Sequence, residues 1–339
     1  MDADERALFA STLGALTSEH TGAALDAALA EAGWLEALGD DPRAAVSLLF
    51  EQQGAAAGTS SALDAVLLAA LGLTVDGGVG VALPALGRTD PPGSAEGEGV
   101  AVAGLALGGS VAPLDGATIP ASPRVAFRHG ATQECVVVVP AGEGWAASVV
   151  AASDLAVRPV GGLDPDLGLV EVGGGPVAAT ARVDLPPAAW PGAVAAGQRA
   201  LAHELVGASR AMLALAREHA LERVQFGRPI AMFQAVRHRL AEAHVAIEAA
   251  DAALTAAWGE GTPFGAAVAK AIAGRSARTV SRHCQQVLAG IGFTTEHDLH
   301  RYVRRVIVLD RLLGDARSLT RRLGEDLLAR RSLPSILPL

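Results

Sequence analysis

Apolar residues return at spacings of three and four along the first part of the chain: Leu8, Leu13 and Leu16, then Val46, Leu48 and Leu49 beyond the turn signal Gly39-Asp40-Asp41-Pro42. That period predicts a small helical domain over residues 1–75. From 76 to 188 the texture changes to short β-branched runs, VGVAL, ECVVVVP, WAASVVAA, LAVRPV, LVEVGG and ATARVDL, divided by glycine and proline. Runs of that length between turn residues predict a compact β-barrel or sandwich. The helical period then resumes. Leu201, Leu205, Ala208, Met212 and Leu215 form one stripe, and Phe233, Val236, Leu240, Ala243 and Ile247 a second. Thr262-Pro263 opens a third helix, and residues 297–331 supply one or two more, with Leu319, Leu323 and Leu327 four apart. The pattern predicts a multidomain α and β chain: an N-terminal helical domain (1–75), a middle β-barrel domain (76–188) and a C-terminal four-helix bundle (189–339).

Half of the 339 residues are apolar, enough for two or three domains with substantial cores. The two cysteines, Cys135 and Cys284, lie far apart and encode neither a disulfide framework nor a thiolate metal cluster, which fits a reducing cytoplasm. The start, MDADERALFASTLGALTSEH, lacks the basic front and apolar block of a signal peptide, and the apolar stretch 62–73 is too short to span a bilayer. A soluble cytoplasmic protein, not a membrane protein, is therefore expected. The net charge of −9 argues against broad phosphate neutralisation on a nucleic acid. Of 27 basic side chains only Lys270 is a lysine. Arginines gather late, at Arg301, Arg304, Arg305, Arg311, Arg317, Arg321 and Arg322, where salt bridges between helices are the favoured reading and an anionic ligand the alternative.

Two stretches carry candidate chemistry. In RVQFGRPIAMFQAVRHRLAEAHVAIEAA (223–250) the helical phrase breaks at Phe226-Gly227 and Pro229. Read as a corner between two helices, the break points free amides and Arg223 at one place, which suits a phosphate or pyrophosphate. An ordinary corner with a solvated arginine explains the same residues. In QQVLAGIGFTTEHDLHRYVRR (285–305), Gly290 and Gly292 permit positive φ or close ligand approach, and Thr294 or Thr295 can cap the next helix with Glu296 in its first turn. His297 and His300 have no third ligand at a standard spacing, so no metal site is expected. GGVGVAL (77–83) lacks the rest of a dinucleotide fingerprint, and neither a GxxxxGK[ST] loop nor a GxSxG elbow is present.

Taken together and in that order, RVQFGRPIAMFQAVRHRLAEAH and QQVLAGIGFTTEHDLHRYVRR resemble the acyl-CoA dehydrogenase family. The resemblance covers the C-terminal part well and the first two zones by architecture. It implies FAD bound at a subunit interface, an acyl-CoA substrate and an electron-transfer flavoprotein-type acceptor. Arg223 matches the arginine that reaches the FAD pyrophosphate of a neighbouring subunit, with Gln225, Phe226 and Ile230 on the same corner. Gln234 matches the glutamine of the FQ pair, and Gln286 and Gly290 the glutamine and second glycine of QxxGGxG. Ala289 stands where the first glycine is usual.

The departures concern catalysis. The family abstracts a thioester α-proton with a glutamate while flavin N5 accepts the β-hydride, and the aligned residues here are Leu312, Leu313 and Gly314. A minority of members carry the base near the start of the first bundle helix, where this chain has Gly197-Gln198-Arg199. Neither place offers a carboxylate, so no catalytic residue is assigned. Glu204 could substitute only across two further helical turns, about 10 Å. The threonine-glutamate-proline phrase and tryptophan-rich strand that hold the flavin ring are also missing, the nearest stretches being VALPALGRTDPPGS and GSVAPLDGATIP. The resemblance thus implies the short, base-less subunit of a heterotetrameric acyl-CoA dehydrogenase of the actinobacterial steroid-degradation type, whose catalytic partner subunit supplies the glutamate. Two alternatives stay open: a self-sufficient homo-oligomeric FAD enzyme with an unusual base, and a non-enzymatic scaffold.

Overall fold

The computed structural model describes residues 1–73, 79–96, 99–107, 112–113, 125–126 and 134–331. Five helices open the chain: α1 (Ala3–Glu19), α2 (Ala23–Glu31), α3 (Trp34–Asp40), α4 (Pro42–Ala56) and α5 (Ala62–Ala70). Their starts are chemically marked. The Asp2 side chain accepts from the Asp4 and Glu5 amides while Glu5 reaches back to the Asp2 amide, and Asp41 caps α4 ahead of Pro42. Leu13, Val46 and Leu49 are buried, as their spacing predicts. Leu8 is not: α1 packs chiefly on α4, so its buried stripe is narrow and Phe9 turns partly inward instead.

The middle strands are β1 (Gly80–Val81), β2 (Gly93–Glu96), β3 (Gly99–Ala106), β4 (Ala112–Pro113), β5 (Val125–Ala126), β6 (Glu134–Ala141), β7 (Gly144–Ala151), β8 (Ala156–Pro159) and β9 (Val170–Leu185). β4 and β5 form their own short ladder, and the rest form one sheet. The two runs LVEVGG and ATARVDL are a single strand. The first half of β9 pairs with β3 and β8, and its second half pairs with β7. The sheet curls until β2 lies over β6, where a Cβ on Gly93 would meet Val137 and Val139 at 2.6 Å. Alternate residues of β6 serve two cores: Cys135, Val137 and Val139 face the inside of the curl, and Val136 and Val138 face the helices. That double burial explains the unbroken run CVVVV. Both cysteines are free and buried. The stretch GSVAPLDGATIP lies outside the described residues apart from Ala112 and Pro113.

The remaining helices are α6 (Ala189–Glu222), α7 (Gln234–Glu260), α8 (Pro263–Leu288), α9 (Leu299–Arg311) and α10 (Ala316–Arg330). Thr262 caps α8 by accepting from the Gly265 amide, as the Thr-Pro signal predicts. α6 is the axis, packed on α4, α5, α7, α8 and α9. Its crossing with α4 is a backbone contact: a Cβ on Gly54 would meet the Glu204 carbonyl oxygen at 2.1 Å, and one on Gly207 the Glu51 carbonyl oxygen at 2.1 Å. Beside this crossing lies Arg305, 2% exposed, which donates to the Gly58 carbonyl, the Thr59 hydroxyl and the Asp164 carboxylate. Glu204 Oε1 stands 3.8 Å from the same guanidinium. No helix among the described residues is long and apolar enough to cross a membrane.

Candidate functional site

The first corner is not a helix–helix corner. α6 ends at Glu222, and residues 224–229 form a two-stranded hairpin, β10 (Val224–Gln225) on β11 (Arg228–Pro229). Phe226 and Gly227 are its turn, at φ 54° and 76°. A two-residue turn with both φ positive has the twist that closes a tight hairpin. Pro229 lies in a strand, and α7 starts only at Gln234, after a 3₁₀ turn over Ile230–Met232. The expected cradle of free amides is correspondingly reduced, since the Ile230 amide donates to the Arg223 carbonyl at 2.8 Å. Side chains remain on offer. Phe226 is 91% exposed and meets Phe233 edge-on at 6.0 Å, and Arg228 lies 4.5 Å over the Phe233 ring. Gln225 turns back to the Val224 carbonyl at 2.8 Å. Arg223 is exposed and takes part in no ion pair among the described residues.

The second corner also departs from expectation. Neither Gly290 nor Gly292 has a positive φ; Ala289 does, at φ 53° and ψ −131°. Gly292 is buried where a Cβ would meet Leu288 at 2.9 Å, whereas a Cβ on Gly290 would meet nothing within 4 Å. Thr294 caps no helix; its hydroxyl donates to the Ile291 carbonyl, and α9 begins at Leu299, whose amide donates to His297 Nδ1 at 3.1 Å. α7 and α8 run antiparallel, with Arg239 at 3.4 Å from His283. The first turn of α7 and the last of α8 therefore share one end of the bundle. Arg223, Gln225, Phe226, Ile230, Gln234, Gln286 and Gly290 are all at that end, and all but the half-buried Ile230 are exposed. Around them lie Leu221, Val224, Met232, Ile291 and Phe293, which with Phe226 make six of the fifteen large apolar side chains exposed among the described residues. A concentration of that kind marks a face that something covers.

A third locus is interior. Between α9 and α10 the chain turns at Leu313 (φ 53°) and Gly314 (φ 94°), and Asp315 starts α10 by accepting from the Arg317 and Ser318 amides. Leu313 is buried against Gly197, where a Cβ would meet its Cδ1 at 2.4 Å and Leu67 at 3.1 Å. Gln198, also buried, donates through Nε2 to the Leu313 carbonyl at 2.9 Å. The fully buried Lys270 donates to the Asp310 carbonyl at 2.9 Å and the Gly314 carbonyl at 3.3 Å, and burial brings its amine down to about 8. Asp310 accepts from the Ala316 amide at 3.0 Å and pairs with Arg278. The stretch VALPALGRTDPPGS lies over this turn: the Gly87 amide donates to the Arg311 carbonyl at 2.7 Å, and Trp190 Nε1 to the Thr89 carbonyl at 2.9 Å. Beside Gln198 opens a groove of about 450 Å³ walled by Trp145, Trp190, Phe264, Leu319 and Leu323. Its carboxylates are engaged, Asp90 with Arg322 at 3.9 Å and Asp326 with Arg330 at 2.8 Å.

Glu204 does not reach this turn. It is held in the Arg305 joint, and burial raises its carboxyl to about 7 against the attraction of Arg305 and a hydrogen bond from Gln53. Lys270, Asp310 and Arg305 carry no motif, so only the fold reveals them as the buried ties of the turn and the joint.

Residues 194–328 match the acyl-CoA dehydrogenase C-terminal domain family. The chain is 34% identical over 281 residues to acyl-CoA dehydrogenase FadE34 of Mycobacterium tuberculosis, an alignment covering 80% of this chain and 39% of that one. It is 41% identical over 126 residues to acyl-CoA dehydrogenase IpdE2 of the same organism, covering 37% and 40% respectively. The chain thus spans about two fifths of the length of these curated relatives. Among solved structures it superimposes on a variant of the Tcur3481–Tcur3483 steroid ACAD with a TM-score of 0.76 at 25% identity, over 97% of this chain and 98% of that one. The ChsE4–ChsE5 complex of Mycobacterium tuberculosis gives 0.73 at 23% identity, over 98% and 97%.

Proposed function

Since the chain belongs to the acyl-CoA dehydrogenase family, we propose that it works as the base-less subunit of a heteromeric, flavin-dependent acyl-CoA dehydrogenase and completes the FAD site of a catalytic partner. One contrast carries this reading. At the position that the sequence resemblance aligns with the family's base, Leu313 is packed on Gly197 and its carbonyl is taken by Gln198, and a leucine side chain offers nothing to accept a proton. At the far end of the bundle, Arg223 stands exposed within an apolar face and without an ion-pair partner among the described residues.

The two halves of a flavin site fit unequally. Arg223 has a guanidinium free for a diphosphate, and Gly290 offers unobstructed approach to the backbone. The sequence phrases that the resemblance associates with the flavin ring are not found in this chain, and of the two stretches nearest to them VALPALGRTDPPGS is hydrogen-bonded onto the turn at Arg311 and Ser318. When bound, FAD accepts the hydride. This chain's residues in that complex would bind and orient the cofactor's phosphate-bearing half, while the partner supplies the glutamate and the ring-binding strand. A steroid-derived acyl-CoA is the proposed substrate class, in keeping with the steroid ACAD the fold matches, and an electron-transfer flavoprotein-type protein the proposed acceptor.

The test is the flavin band near about 450 nm, measured on the chain alone and on the chain coexpressed with a candidate catalytic subunit. A yellow, active complex and a colourless lone chain are expected. A colourless pair that does not associate overturns the proposal, and a lone chain that is yellow and active returns the self-sufficient enzyme.

A further inference from the structure

We propose that His219 and His297 complete the anion seat that Arg223 begins, so that a dinucleotide's diphosphate meets three donors of this chain and its binding is coupled to uptake of a proton at His219. The proposal rests on the shared-flavin reading and adds a regulation that reading does not contain.

His219 lies one helical turn before Arg223 in the last turns of α6, and the Arg223 amide donates to its carbonyl at 2.9 Å. Residues four apart stand on the same helix face. From the second corner, His297 meets His219 edge-on, with ring centroids 6.4 Å apart and planes at 89°. The end of α6 and the second corner are thereby joined by two imidazoles beside the Arg223 guanidinium, whose charge acts on His219. Because His297 Nδ1 accepts from the Leu299 amide, the neutral ring carries its proton on Nε2, which is left as a donor.

The charges around His219 are Glu222 and Arg223 on its own helix and His297 opposite. His297 is flanked in sequence by Glu296 and Asp298, and Asp298 is 3.8 Å from Arg301. Partial burial, followed by the like charges of His297 and Arg223, holds His219 below the usual imidazole range. In the free chain these surroundings favour the neutral imidazole. A diphosphate placed against Arg223 reverses the sign of those surroundings and makes the imidazolium the favoured form. Linkage then requires affinity to fall as pH rises, by up to about tenfold per pH unit for one proton taken up.

The test uses the full chain and ADP-ribose, whose diphosphate diester does not titrate near neutrality, with histidine Cε1–H resonances followed by NMR. On saturation the His219 midpoint should rise by about one unit, and the dissociation constant should be roughly tenfold tighter at about pH 6 than at about pH 8. His219→Gln should abolish the pH dependence and keep the binding. A midpoint that stays put while Arg223→Ala abolishes binding overturns this proposal and leaves the shared-flavin reading standing. Absence of binding at roughly 10 mM ligand also overturns it. If Arg223→Ala changes neither ADP-ribose binding nor the flavin content of the coexpressed complex, both readings fall.

Discussion

Gln198 Nε2 and the Leu313 carbonyl oxygen are 2.9 Å apart, so the two positions that the sequence resemblance aligns with the family's catalytic carboxylate are bound to each other by a buried amide–carbonyl hydrogen bond. Gln198→Leu leaves that carbonyl without a donor and should cost about 1–3 kcal/mol in denaturant unfolding. Leu313→Glu is the more pointed variant. A carboxylate at that place would be buried against Gly197, so the chain should lose several kcal/mol of stability and gain no dehydrogenase activity on its own. Activity in the lone variant would show that the missing base is the sole defect and would refute a shared site.

Ala289 occupies a backbone conformation, φ 53° and ψ −131°, that favours glycine. Ala289→Gly should therefore stabilise the chain by about 1 kcal/mol, after the loss from a more flexible unfolded state, as read by an increased denaturant midpoint. Gly290→Ala is its counterpart. With no atom within 4 Å of the added Cβ and no positive φ, stability should hold, and any effect should appear as reduced flavin in the complex.

The folded state holds the Glu204 proton more tightly than the unfolded chain, because burial lifts the carboxyl from 4.5 to about 7. Its contribution to stability is fully present below the unfolded value and is lost as pH rises through about 7. Glu204→Gln removes this dependence. Relative to the parent, the variant should gain on the order of 3 kcal/mol between acidic and mildly alkaline pH, measured by urea unfolding across the range. Parallel curves for the two proteins would show that Glu204 does not titrate in this window.

Lys270→Met keeps the length of the side chain but strips the donor from the Asp310 and Gly314 carbonyls, inside a fully buried site. A loss of about 2–4 kcal/mol is expected. Arg278 remains on Asp310, so the carboxylate keeps a partner.

Arg223 and Phe226 are exposed, so Arg223→Ala and Phe226→Ser should leave the stability of the lone chain within about 0.5 kcal/mol of the parent. Both should reduce the flavin that copurifies with the partner complex. A full flavin complement in both variants would place the shared site elsewhere.

Much of the helical architecture is legible in the chain because capping and period agree. Thr262-Pro263 and the stripe through Leu201, Leu205, Ala208 and Met212 behave as local chemistry dictates. The hairpin at Phe226-Gly227 is not legible, since a phenylalanine with positive φ contradicts the usual Asn-Gly or Asp-Gly signal of such turns. LVEVGG and ATARVDL read as two strands because glycine and proline separate them, yet pairing to β3 on one side and to β7 further along keeps the backbone extended through the interruption. Burial of Arg305 was equally hidden among the late arginines. Its partners Gly58 and Asp164 are far away in the chain, and only the fold brings them within reach.

That arginine has a mechanical consequence. One guanidinium fastens α9 to the turn after α4, through Gly58 and Thr59, and to the segment before β9, through Asp164, with Glu204 of α6 beside it. Pulling any one of these segments away strands a buried cation among unmatched groups, so opening one joint forfeits all of them. Helices and sheet should consequently melt in a single transition, and an excised bundle should not behave as an autonomous module.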